Sequence, residues 1–146
     1  MVWFRRFWFD SCKSDPNSAI ADILAGMEGC LAEVADGKIG GAFDANDAGE
    51  LESTFSGNTG TDIVFNIKGV KTAWEKSKLK EYASSKNNDL SSTLSSQIDE
   101  SLKLANQLPS GLNDQLNNER TKETVAKLRT VLISAAETAV SLASEL

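Results

Sequence analysis

A chain of 146 residues with a net charge of −6 and 40% hydrophobic residues can bury a core in one domain. It has no basic cluster to displace counterions from nucleic acid, so a nucleic-acid role is excluded. It contains no histidine, which removes His-based general-base catalysis, His-containing triads and His-ligated metals.

The first stretch, MVWFRRFWFDSC, places two of the three tryptophans around Arg5 and Arg6. Its apolar run is too short and too interrupted for a signal peptide. Residues 1–15 therefore read as an N-terminal arm. It either packs on the rest of the protein or touches a membrane surface through Trp3–Phe9. No stretch elsewhere has the roughly 20 apolar residues of a membrane span. Cys12 and Cys30 lack C-x-x-C spacing, so neither a zinc site nor a redox pair is indicated. They read as free, inert thiols, the alternative being a disulfide between the arm and the first helix.

Asp15-Pro16 has the form of an N-cap followed by proline at the first helical position. Ile20, Ile23, Leu24, Met27, Leu31 and Val34 follow at helical spacing. The phase then fails, because continuing it places Lys38 in the apolar face. Either the helix bends near Gly37 or Lys38 reaches across to a carboxylate; Gly40-Gly41 weakens it further and Phe43 is off-phase. Residues 44–61 are loop by composition. A second helix is expected from near Asp62 to about residue 76, with Ile63, Ile67, Val70 and Trp74 on one face and Thr59 or Thr61 as cap. Phe65 falls on the opposite face, either a second contact surface or one exposed aromatic. Leu79 and Tyr82 are off-phase. Leu90, Leu94, Ile98, Leu102, Ala105 and Leu108 mark a third helix over about 88–108, with the serines between 84 and 96 as its solvated side. Pro109-Ser110-Gly111 stops it. A fourth begins at Leu112, breaks around Asn117-Asn118 and runs clearly from Thr121 to Leu146, its alanines allowing a neighbour close. No segment alternates long enough for a strand. The fold class is all-α, a four-helix bundle over residues 16–146.

Ser53, Ser56, Asn58, Thr59 and Asp62 surround the second helix's start. They read as caps for its unpaired N–H groups, with Phe55 plugging the loop onto the core, or else as the wall of a pocket. Glu33 and Lys38 read as an ion pair, or Lys38 reaches Asp62 or Glu52 across the loop. Glu28, Glu33, Glu50, Glu52 and Asp62 could supply oxygen ligands to a hard cation or iron. Asp44 to Glu50 lacks EF-hand spacing, and no base is present to activate a serine.

Three stretches carry a resemblance. GMEGCLAEVADGKIGGAF contains Glu33 followed five residues later by Lys38. ELESTFSGNTGTDIVFNIKGVKTAW contributes Glu52, Ser53, Phe55, Ser56, Asn58, Thr59, Asp62, Ile63, Asn66 and Gly69. LSSQIDESLKLANQLPSGLNDQL ends its helix in Leu-Pro. Over residues 18–146 this order resembles the C-terminal half of imelysin-like proteins, a bacterial cell-envelope family once described as metallopeptidases. The resemblance implies one half of a duplicated helical fold, a periplasmic or envelope location and an association with iron uptake. The family's Gly-x-His-x-x-Glu motif is absent, and Gly57 and Gly60 stand where relatives often carry Asp and His.

The expectation is a non-enzymatic envelope bundle without a resident cofactor, iron being implied by the resemblance alone. It would bind a partner or small ligand through residues 50–66 with Glu33 and Lys38. A second copy or another protein would cover the surface of the missing half, Phe65 included. The alternatives are a metal-dependent, peptidase-like member or half of a split two-bundle protein.

Overall fold

In the computed structural model, which describes residues 15–146, Asp15 opens the first helix, α1 (Pro16–Ala32). The arm, with Cys12 and Trp3–Phe9, lies outside the described residues. The Asp15 carboxylate accepts the N–H groups of Asn17 at 3.1 Å and Ser18 at 3.2 Å, satisfying two of the first turn's orphan donors. The helix does not stop at Gly37. It continues as a π-helix over Glu33–Gly40 and then as α2 (Gly41–Ala45).

Four long helices form the bundle: α1, α3 (Thr59–Lys76), α5 (Asn88–Ala105) and α6 (Glu119–Ala143). Each runs antiparallel to the next around a ring. The Gly60 N–H bonds the Ser110 carbonyl, while Trp74 Nε1 at the other end of α3 bonds Ser95 Oγ at 2.9 Å. Gln97 reaches Ser134, and Asn87 reaches Glu145, between α5 and α6. Helix α6 returns along α1 and the π-helix, which closes the ring. Leu24, Leu31, Ile63, Ile67, Trp74, Leu94, Ile98, Leu128 and Leu132 fill the centre at 1% exposure or less. Ala135, Ala136 and Ala139 are buried on α6, where small side chains let a neighbouring helix approach. Among the described residues there is no strand.

Several boundaries differ from expectation. Helix α3 begins at Thr59, three residues before Asp62. Lys78 adopts a left-handed backbone, φ 62°, and this turn separates α3 from an additional helix, α4 (Leu79–Lys86). The break explains why Leu79 and Tyr82 miss the α3 register. Leu79 and Ala83 are buried, and the Tyr82 hydroxyl donates to Asn17 Oδ1 at the start of α1. Helix α5 ends at Ala105, short of Leu108, and a 3₁₀ turn at Asn113–Gln115 stands where α6 was expected to begin.

The serine run is not simply a solvated side. Ser91 is fully buried and shares a 2.7 Å hydrogen bond with Ser84, and Ser95 holds the Trp74 indole. These hydroxyls satisfy groups that burial would otherwise leave unpaired. Replacing Trp74 with Ala is therefore expected to lower the unfolding free energy by about 3–5 kcal/mol. Replacing it with Phe, which loses mainly the Ser95 bond, is expected to cost about 1–2 kcal/mol. Urea titration followed by circular dichroism measures both.

Candidate functional site

The π-helix resolves the conflict at Lys38. Val34 and Ala35 are buried, and so are Ile39 and Gly40, five residues later in each case. Five is the π-helical hydrogen-bond spacing, and the Gly41 N–H bonds the Asp36 carbonyl accordingly. An α-helical register would align Lys38 with Val34. The wider turn puts Ile39 in the core and swings Lys38 sideways, where its ammonium meets Glu52. The Lys38 side chain is only 16% exposed, so the carboxylate compensates a mostly desolvated cation. Glu33 is not its partner: it is exposed, and its carboxylate lies over Gly37.

The segment between α2 and α3 is wound tightly by its own polar groups. Asp47 Oδ1 accepts the Gly49 N–H at 2.8 Å and opens a 3₁₀ turn, Ala48–Glu50. The Thr54 hydroxyl bonds the carbonyls of Ala48 and Leu51, and Asn113 Nδ2 donates to the Thr54 carbonyl at 2.7 Å. Gly57, at φ 66°, closes the turn through its N–H to the Ser53 carbonyl. Ser53 Oγ donates to Asp62 Oδ2 at 2.5 Å. Leu51, at 3% exposure, anchors the loop to the core. Phe55 does not plug it: its ring is fully exposed at the tip, beside exposed Ser56 and Asn58.

The start of α3 is not capped as expected. Asn58 holds the N-cap position without a side-chain bond, and Thr59 is buried with no partner for its hydroxyl. The chain after α5 covers this helix end instead. Gly60 donates to the Ser110 carbonyl at 3.1 Å, and a Cβ built on Gly60 would lie 2.1 Å from the Pro109 oxygen. Carbonyl oxygens thus occupy the place where a helix N-terminus could attract an anion.

Arg129 on α6 escaped the sequence reading. Its guanidinium donates to Asp44 at 2.8 Å and contacts Asp36 at 3.5 Å, joining α6 to α2 and the π-helix. The hydrogen bond to Asp44 raises its pKa. Gly40 makes the crossing possible, because a Cβ there would lie 2.8 Å from Arg129 Nη2. A signal existed: Arg129 is spaced i+4 from Val125 and i−3 from Leu132, both buried, so a cation interrupts the apolar side of α6.

The ten predicted site residues therefore separate. Lys38, Glu52, Ser53 and Asp62 join the π-helix, the loop and α3 in two adjacent pairs. Phe55, Ser56 and Asn58 form an outward tip, and Thr59 is interior. Glu33 stays apart. Asn66 lines a groove of about 350 Å³ between α1 and α3, together with Ile23, Met27, Cys30, Phe65 and Val70. Burial raises the Cys30 thiol pKa. The five carboxylates weighed as ligands do not converge: among the described residues no group of three or more His, Cys, Asp or Glu side chains is placed to hold a metal. Lys38 is spent on Glu52, Ser53 on Asp62 and the Asn113 amide N–H on the Thr54 carbonyl, and these three contacts tie the loop to its neighbours.

Gly60→His is expected to destabilise the protein by at least about 1–3 kcal/mol through overpacking against Pro109. Gly57→Ala, which meets open space but needs a left-handed backbone, is expected to cost about 1 kcal/mol. Thermal unfolding of the two variants in parallel measures the difference.

Among known proteins, the sequence model of one family, described as imelysin, matches residues 4–139. No curated protein and no solved structure gives a match. The match spans nearly the whole chain and agrees with the all-helical bundle. This chain belongs to the imelysin family.

Proposed function

We propose that this chain is a non-catalytic binding module of the imelysin family. It recognises a partner protein with the tip of the loop between α2 and α3. One observation carries the reading: Lys38 with Glu52, Ser53 with Asp62 and Asn113 with Thr54 hold the loop in place, while Phe55 points fully outward. Holding an exposed aromatic on a pre-ordered loop lowers the entropy cost of docking, and aromatic side chains dominate protein-binding hot spots. The family's label is a peptidase's, yet Lys38, Asp62 and Arg129 all have neighbours that hold them, and no histidine is available as a base. The family resemblance supports a place in the cell envelope and a link to iron uptake. No helix among the described residues is long and apolar enough to cross a membrane.

Two measurements test this. The purified chain, incubated with a denatured protein and Fe(II), Fe(III) or Zn(II), is expected to leave the protein intact. Metal-dependent cleavage lost on Glu52→Gln or Asp62→Asn would overturn the reading. A photo-crosslinking residue at position 55 is expected to give a discrete adduct in an envelope fraction, and the same residue at exposed Glu137 to give none. Equal labelling from both positions would contradict recognition by the tip.

A further inference from the structure

A second surface, separate from the loop tip, is the groove between α1 and α3. Ile23, Met27 and Val70 make it apolar, and Phe65 stands at its edge at 63% exposure. Gly26 and Gly69 also line it, and a Cβ on either would meet nothing within 4 Å. The residues before Asp15 carry Trp3, Phe4, Phe7, Trp8 and Phe9, the largest set of aromatic side chains in the chain. They join the bundle at the start of α1, so distance along that helix decides what they can touch. At 1.5 Å per residue the groove lies about 12 Å (Ile23) to about 22 Å (Cys30) from Asp15. Phe9, Trp8 and Phe7 precede Asp15 by six to eight residues, a reach of about 21–28 Å in extended chain. An arm turned back along α1 brings these rings level with the groove. Cys12 stops short: its three residues to Asp15 cover about 11 Å, and a disulfide adds less than about 7 Å between Cα atoms. A Cys12–Cys30 bridge therefore cannot close within one chain, and anything that holds the arm is non-covalent.

Charge sets the direction in which the arm would lie. Glu33 is one turn beyond Cys30 on α1, and Asp62 is one turn before Phe65 on α3. Helices α1 and α3 are antiparallel, so both carboxylates stand beyond the same end of the groove, about 27 Å from Asp15 along α1. Asp62 accepts the Ser53 hydroxyl, and neither carboxylate is in a salt bridge among the described residues. Lys38 is engaged by Glu52, and the Lys68 ammonium lies over the Phe65 ring, 5.2 Å from its centre. That end of the groove is therefore acidic. At the near end one carboxylate, Asp22, and one ammonium, Lys76, leave no net charge. Arg6 and Arg5 precede Asp15 by nine and ten residues, a reach of about 31–35 Å, which carries them to the acidic end while the rings after them cover the apolar part.

We infer that the N-terminal arm docks in the α1/α3 groove of its own chain, with Phe7, Trp8 and Phe9 over the groove and Arg5 and Arg6 at Glu33 and Asp62. The inference does not depend on the proposed role of Phe55. A photo-crosslinking residue in place of Phe65, in the whole chain at low micromolar concentration, is expected to give an adduct of monomer size. Peptide mapping is expected to place that adduct within residues 3–9. The same residue at exposed Glu137 is expected to give none. Gly26→Leu with Gly69→Leu fills the groove where the chain leaves open space. This variant is expected to lose the adduct and keep its circular-dichroism spectrum, which separates lost docking from lost folding. Arg5→Glu with Arg6→Glu is expected to lower the yield at least about threefold at low salt, where charge pairs act most strongly. An adduct joining two chains would give the groove to a second copy and overturn the inference. Absence of any adduct in the arm would overturn it too, as would a yield indifferent to the leucines or to the arginine reversal. An arm adduct from position 65, with no partner labelled from position 55, would leave this inference standing and refute the loop-tip reading.

Discussion

The extra residue in each turn of the π-helix at Glu33–Gly40 is the constraint on which the site depends. With that widening, Val34 and Ala35 share the core with Ile39 and Gly40, and Lys38 leaves the apolar face without the helix ending. The chain therefore continues into α2 and carries Asp36 and Asp44 to Arg129. The same geometry aims Lys38 at Glu52 and so fixes the loop that precedes α3. π-helical segments are rare and concentrate at functional sites. Here the segment's work is positional: it places two charged clamps, one on the loop and one on α6.

Those clamps explain the loop's order. Connections of 2–8 residues are usual in bundles, and a longer one must satisfy its own backbone and side-chain polar groups. Thr54, Asn113, Ser53 and Asp62 do so within the segment or across to its neighbours. The end of α3 is closed by the chain following α5, which presses carbonyl oxygens against Gly60. The glycine at position 60 is therefore a packing requirement in this protein. A histidine there would need the Pro109 backbone to move.

The helices were legible because their apolar residues recur at helical spacing and Trp74 falls within the stripe. The phase failure at Lys38 was legible too, and one of its two readings, a reach to Glu52, is the arrangement found. The π-helix itself was not, because period alone does not separate a bend from a widened turn. Helix α4 was missed since its boundary is a left-handed lysine, a residue that gives no turn signal. Phe55 was misjudged for a different reason. Its hydrophobicity suggested burial, but Leu51, four residues earlier, already anchors the loop. Arg129 acts through residues far away in sequence, Asp36 and Asp44, and a single chain gives no sign of such pairing beyond the interrupted apolar side. The caps expected from Thr59 and Thr61 lost to a tertiary contact, the carbonyl of Ser110.

The central claim is that Lys38, displaced by the π-helix, holds the loop through Glu52. A double-mutant cycle with Lys38→Met and Glu52→Gln, read by urea unfolding, tests it directly. The account predicts a coupling of about 1 kcal/mol. It also predicts a larger loss for Glu52→Gln, which strands a mostly buried ammonium, than for Lys38→Met. Additive losses, with coupling indistinguishable from zero, would contradict it.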